Sequence, residues 1–133
     1  MTAQYFGRAA ETGRTESDAD AGVTINDVNA ASATRAGTIT NVSLANYGAA
    51  AIEDNGLTTL ALAGKGGALT LTDALTAPTV TALALNVNGL NATSFVDANN
   101  EITTLNVVTG GATGSTIGTV TDAGLTTLHV SGT

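Results

Sequence analysis

One phrase occurs five times in this chain and limits what the chain can fold into. It reads ITNVSL from Ile39, LTTLAL from Leu57, VTALAL from Val80, ITTLNV from Ile102 and LTTLHV from Leu125. The starts lie 18, 23, 22 and 23 residues apart. A unit that returns at such a period cannot bury its own apolar face; it stacks on neighbouring copies, which is the logic of a solenoid. Within the phrase the fourth and sixth residues are apolar and the fifth varies among Ser, Ala, Asn and His. That alternation is the period of a strand with one buried face. Thr in second place suits a pleated surface. VTIND from Val23 reads as a degenerate sixth unit, 16 residues ahead of Ile39.

Turn residues recur before the phrase. Asp54, Asn55 and Gly56 precede Leu57, the run from Asp97 to Asn100 precedes Ile102, and Asp122 and Gly124 precede Leu125. Small polar residues and glycine make tight corners. Ahead of these corners stand Ile52, Val96 and Val120, read here as a second apolar strand face, and ALTLT from Ala68 suggests a third. The expected fold is therefore all-β: a parallel β-solenoid (β-helix) of about five coils with a 22–23 residue repeat and leucine-rich-repeat-like strand phrases. It should occupy residues 21–133 as one domain. Residues 1–20 hold six of the fifteen charged residues and no phrase, and read as a poorly ordered linker or the remnant of a helical domain. After the fifth phrase only SGT follows, without a capping pattern, so the last coil is expected to be open, pointing to a longer parent chain or a docking partner.

Composition narrows the function. Four basic residues against eleven acidic ones give a net charge of −7, which repels nucleic acid. Hard cations suit an acidic, oxygen-rich surface, calcium above all. There is no cysteine, hence no disulfide and no thiolate metal site. No apolar run reaches the roughly 18–20 residues that span a bilayer, so membrane insertion is not expected. MTAQYFGRAAETGR lacks the basic start and apolar middle of a signal peptide, so export would use another signal. A single His, no Cys and no GxSxG serine leave nucleophilic triads without parts. Carboxylate catalysis on polysaccharide needs a cleft with paired acids, and two Tyr, two Phe and no Trp supply few sugar platforms. No enzymatic activity is expected.

The remaining signals are read plainly. GGATGSTIG from Gly110 has no lysine where a phosphate loop needs one and reads as a turn. The Thr-x-Thr pairs do not share the 22-residue register that a flat ice-binding ladder requires. Asn41 and Asn91 begin chance glycosylation sequons. His129, between Leu128 and Val130, should point outward. The corner residues Asp54, Asp73, Asp97, Asn99, Glu101 and Asp122 are the candidate calcium ligands, with Glu53 and Asn100 beside them, and the loop DANNE from Asp97 is the leading one. The competing reading makes them ordinary turn formers.

The strings NDVNAASATRAGTITNVSL, YGAAAIEDNGLTTLALAG, LALNVNGL, ITTLNV and LTTLHVSG are spread along the segment from Val23 to Thr133. Through them the segment resembles the central region of Caulobacter-type bacterial surface-layer (S-layer) proteins. YFGRAAE from Tyr5 also looks like a turn of a small N-terminal helical domain in related proteins. The resemblance implies an RTX-class, type I secreted, self-assembling structural protein at the bacterial cell surface, with calcium as cofactor. It implies self-association into a lattice, and surface polysaccharide as a further partner. The RTX nonapeptide GGxGxDxxx itself does not occur here. The alternative is a stalk or adhesin segment of a secreted RTX-type surface protein.

Overall fold

The computed structural model describes the strand Thr2–Phe6 and residues 22–133. Its strands are β1 (Thr2–Phe6), β2 (Val23–Asn26), β3 (Asn41–Tyr47), β4 (Ala50–Glu53), β5 (Thr59–Thr72), β6 (Ala82–Asp97), β7 (Thr104–Gly110), β8 (Thr116–Thr121) and β9 (Thr127–Gly132). Every pairing is parallel, and the chain winds as a β-solenoid of about five turns with no helix among the described residues. Two ladders run along it. The first joins β1, β3, the front of β5, the front of β6, β7 and β9. The second joins β2, β4, the rear of β5, the rear of β6, and β8.

The phrase maps onto the first ladder. All five strands that carry it, β3, β5, β6, β7 and β9, begin at its third residue. Apolar side chains stack in columns, Val42, Leu60, Leu85, Val107 and Val130 in one and Leu44, Leu62 and Val87 in the next. Leu60 and Leu85 are wholly buried. The second ladder contributes Ala50, Leu69 and Phe95, and beside them Ile52 and Leu71. A core of branched aliphatic residues thus forms, with Tyr47 and Phe95 as the buried aromatics among the described residues. Tyr47 lies across Gly66, and its buried hydroxyl has no hydrogen-bond partner; burial pushes its pKa up to about 12.

The recurring Thr in second place has a more specific role than pleated-surface preference. Thr58 Oγ1 donates to the Thr40 carbonyl, Thr103 Oγ1 to Thr81, and Thr126 Oγ1 to Thr103, at 3.0, 3.3 and 3.0 Å. The hydroxyl therefore ties each phrase to the one before it. This chain of hydroxyls breaks between the second and third phrases, where Leu60 pairs with Leu85 and not with Leu83. The ladder there slides by two residues. An even slide keeps every side chain on its own face, so the core columns continue across it.

Three sequence expectations are corrected. VTIND does not begin a phrase strand: β2 pairs with β4, in the second ladder, and shares the alternation because both ladders bury one face. Phe95 faces the core at the end of β6, while Val96 stands in the outer column with Thr70 and Thr121. ALTLT is the rear of β5 and belongs to the second ladder rather than a third. Within the segment read as a linker, Thr2–Phe6 pairs in parallel with β3; residues 7–20 lie outside the described residues.

The coil bends between the ladders at two kinds of corner. At one, Asn46, Gly64, Gly89 and Gly111 occupy successive coils, all with positive φ, of 51°, 67°, 53° and 95°. A left-handed residue costs little for glycine and is tolerated by asparagine. The stacked turn thus selects those two types. The other corner carries the candidate functional residues.

Candidate functional site

Each strand of the second ladder runs into an aspartate: Asp27 after β2, Asp54 after β4, Asp73 after β5, Asp97 at the end of β6 and Asp122 after β8. Five carboxylates therefore line one corner of the solenoid. Asp27, Asp54 and Asp97 are buried. Every one accepts the N–H of the residue two positions on: Asn29 at 2.7 Å, Gly56 at 3.1 Å, Leu75 at 2.7 Å, Asn99 at 3.2 Å and Gly124 at 2.8 Å. This is the aspartate turn, in which the side chain substitutes for a backbone acceptor.

Two of them do more. Oδ2 of Asp97 accepts the N–H of Glu101 at 2.7 Å and of Ile102 at 2.8 Å, while Oδ1 also takes Asn100 at 3.1 Å. Oδ2 of Asp27 accepts the Thr38 N–H and hydroxyl at 2.7 Å and the Ile39 N–H at 2.9 Å. Ile39 and Ile102 both open a phrase, so these carboxylates seat the returning strand. Asp27 was absent from the sequence-based candidates. Its signal is the pattern Asp-x-Asn or Asp-x-Gly, which it shares with Asp54, Asp97 and Asp122.

The amides of the corner stitch successive coils. Asn55 Oδ1 accepts from the Gly37 N–H at 2.7 Å, and Asn100 Oδ1 accepts from Ala123. Asn99 does so twice, accepting from the Asp73 N–H and donating through Nδ2 to the Asp73 carbonyl at 2.9 Å. Glu101, half-buried, hydrogen-bonds to the Asp73 carboxyl. Asp54, Asp73, Asp97 and Glu101 border one small cavity of about 30 Å³, and Oδ2 of Asp54 is buried without a partner. The structure thus gathers Asp54, Asp73, Asp97, Asn99 and Glu101 at one stretch of the corner, with Asp122 one coil further along beside Asp97.

Calcium requires six to eight oxygens around one point. Among the described residues no three acidic or histidine side chains converge in that way. The oxygens of Asp97 are already occupied by four amide protons, and a pocket of N–H donors is the electrostatic opposite of a cation site. Among the buried side-chain atoms of this corner, Asp54 Oδ2 and the amide nitrogen of Asn55 are left without a partner, and of the two only the oxygen could face a cation. The arrangement is a ladder of turn caps built from carboxylates and backbone N–H groups.

Stacked acids perturb one another. Burial pushes Asp54 up to about 6, with the charges of Asp27 and Asp73 adding and the Gly56 and Leu57 amides opposing. Glu101 is pushed to about 7, by burial first, then by its hydrogen bond to Asp73 and the charges of Asp73 and Asp97. Asp122 is raised by burial and by Asp97. At Asp27, burial acts upward, but the hydrogen bonds from Thr38, Asn29 and Ile39 outweigh it and hold the pKa below the usual value.

A pH dependence follows with a definite sign. Asp54 and Glu101 bind protons more tightly folded than unfolded, so their contribution is greatest below about pH 4 and is lost as pH rises to about 7. Asp27 acts oppositely, with stability lost as pH falls through its lowered pKa. The melting temperature should therefore peak in mild acid and fall between pH 4.5 and 8. The double variant Asp54→Asn, Glu101→Gln should flatten that slope. A melting temperature that climbs over the same interval in the parent chain would contradict the assignment.

No protein-family profile and no curated protein matches this chain.

Proposed function

We propose that this chain is a structural segment of a self-assembling protein layer on the bacterial cell surface, without catalytic activity. The observation that carries this reading is the parallel β-solenoid itself, about five stacked turns whose two ladders can be extended by any further coil of matching register. Val120, Leu128 and Val130 stand in line with the buried columns yet are 47%, 56% and 66% exposed. Beside them β9 offers an unpaired strand edge, a template for a further parallel strand. Another coil of matching register stacked there buries all three side chains and continues both ladders. That coil can be supplied by the same polypeptide or by a neighbouring copy, and the self-assembly reading has copies add along the solenoid axis.

Calcium enters as the counter-ion of a chain with net charge −7, screening acidic copies as they approach, not as a caged ligand. The candidate ligands Asp54, Asp73, Asp97, Asn99, Glu101 and Asp122 then act through the corner they build. The test is assembly of the whole chain followed by light scattering and electron microscopy, with calcium and with chelator. Ordered assemblies that disperse in chelator are expected, and Val130→Asp should prevent them. Ordered assembly that proceeds unchanged in chelator removes calcium from the reading. Single particles at every concentration, retained on surface polysaccharide, would favour an adhesin or stalk segment instead.

A further inference from the structure

A layer needs contacts in two directions, and a coil edge supplies only one. The outer face of the first ladder has the properties of the second. Its outward columns are Asn41, Thr59, Ala84, Asn106 and His129, then Ser43, Ala61, Asn86, Val108 and Ser131, then Ala45, Ala63, Asn88 and Gly110. Five strands thus present no Asp, Glu, Lys or Arg, although nine such residues lie elsewhere among residues 22–133. Where the chain is acidic, copies repel; on this face they do not.

The face is also shaped. A groove of about 430 Å³ crosses it, floored by small residues such as Ala61 and Ala63, with Asn86 and Val108 along it. Val108 is 43% exposed. Outside the open coil and the loop residue Val28, it is the one large apolar side chain left exposed among the described residues. A ridge bearing Val108 beside a hollow floored by alanine is self-complementary under a two-fold axis. We infer that this face is the lateral contact between copies of this chain, pairing face to face about an axis near Asn86. The inference rests on the self-assembly reading and names the surface it uses sideways.

Size fits that role. Five strands about 4.8 Å apart and about five residues long cover roughly 400 Å² per copy. The pair buries roughly 800 Å², below the ~1,200 Å² of a stable complex. Such a contact is weak singly and effective when repeated along an array, where each contact holds the next in place.

The chain has no cysteine, which gives a clean test. In the whole chain, Asn86→Cys should form disulfide-linked dimers at least tenfold faster than Ala68→Cys, an exposed position on the other ladder's outer face. Crosslinking traps short-lived encounters, so it reads this face even where no ordered assembly forms. Asn86→Asp, which adds one charge with little change of shape, should reduce lateral association at least tenfold and turn sheets into single fibres. Equal crosslinking at positions 86 and 68, or Asn86→Asp sheets indistinguishable from the parent's, overturns the inference. Fibres that form regardless of Asn86 leave the axial reading standing. Strong crosslinking at position 86 without any ordered assembly supports the face contact and overturns the layer.

Discussion

Replacing Asp97 by alanine is expected to cost about 3–5 kcal/mol of folding free energy. Four backbone N–H groups converge on this one buried carboxylate, and hydrogen bonds to a charged acceptor contribute about 1.5–3 kcal/mol each when buried. The exposed members, Asn99 and Asn100, find water after truncation, which keeps the total below the simple sum. The buried Ile102 amide does not. Asn should be a poor rescue. One oxygen can still serve Asn99 and Asn100, but an amide NH₂ then faces the Glu101 and Ile102 donors, or the reverse if it flips. Urea unfolding should rank the parent chain above Asp97→Asn, and Asp97→Asn above Asp97→Ala. A loss under about 1 kcal/mol for alanine would mean that the carboxylate does not hold the corner.

Gly56→Ala should be comparably damaging, by about 3 kcal/mol, at the strong end of overpacking. A Cβ there runs into the Gly37 carbonyl oxygen, with the Gly37 carbonyl carbon at 2.8 Å. Because the obstacle is backbone, no side chain can rotate away. The coils must part, which strains the Gly37 to Asn55 hydrogen bond and the Asp54 turn together. The same substitution at Gly110 or Gly114 meets nothing within 4 Å and should fall within about 1 kcal/mol of the parent. Thermal unfolding of the three variants separates close approach from the general flexibility of glycine. Equal effects at all three sites would refute the packing argument.

Much of the fold was legible because burial imposes a simple code. The alternation of Leu60 and Leu62 or Leu105 and Val107 marks a strand with one wet face, and its recurrence marks the stack. The same code hides which ladder a strand joins. VTIN and TLAL alternate alike, and only the aspartate that follows Asn26 identifies β2 as a second-ladder strand. It hides register too: sequence alignment pairs Leu60 with Leu83, and the two-residue slide to Leu85 preserves the pattern that alignment reads. At the corner, the acids Asp54, Asp97 and Asp122 were legible as turn formers, because aspartate two places before glycine or asparagine has a turn meaning on its own, whereas Asp73, followed by Ala74 and Leu75, was legible only as an acid between strand-like segments. What each carboxylate oxygen faces was not. That depends on amides such as those of Glu101 and Ile102 folding back onto Asp97, an effect of backbone path that residue identity does not encode.

The two-ended grip of these aspartates bears on how the chain accommodates change. Asp97 holds the N–H two residues on and the N–H five residues on; Asp27 holds those two and twelve residues on. One carboxylate thus clasps the exit of one coil to the entrance of the next, whatever number of residues lies between. The connections that follow the second ladder vary accordingly, from five residues after β4 to fourteen after β2, while the strands they join keep their places. Along this edge the solenoid can lengthen a loop, or carry a foreign peptide in one, without its neighbouring coils registering the difference.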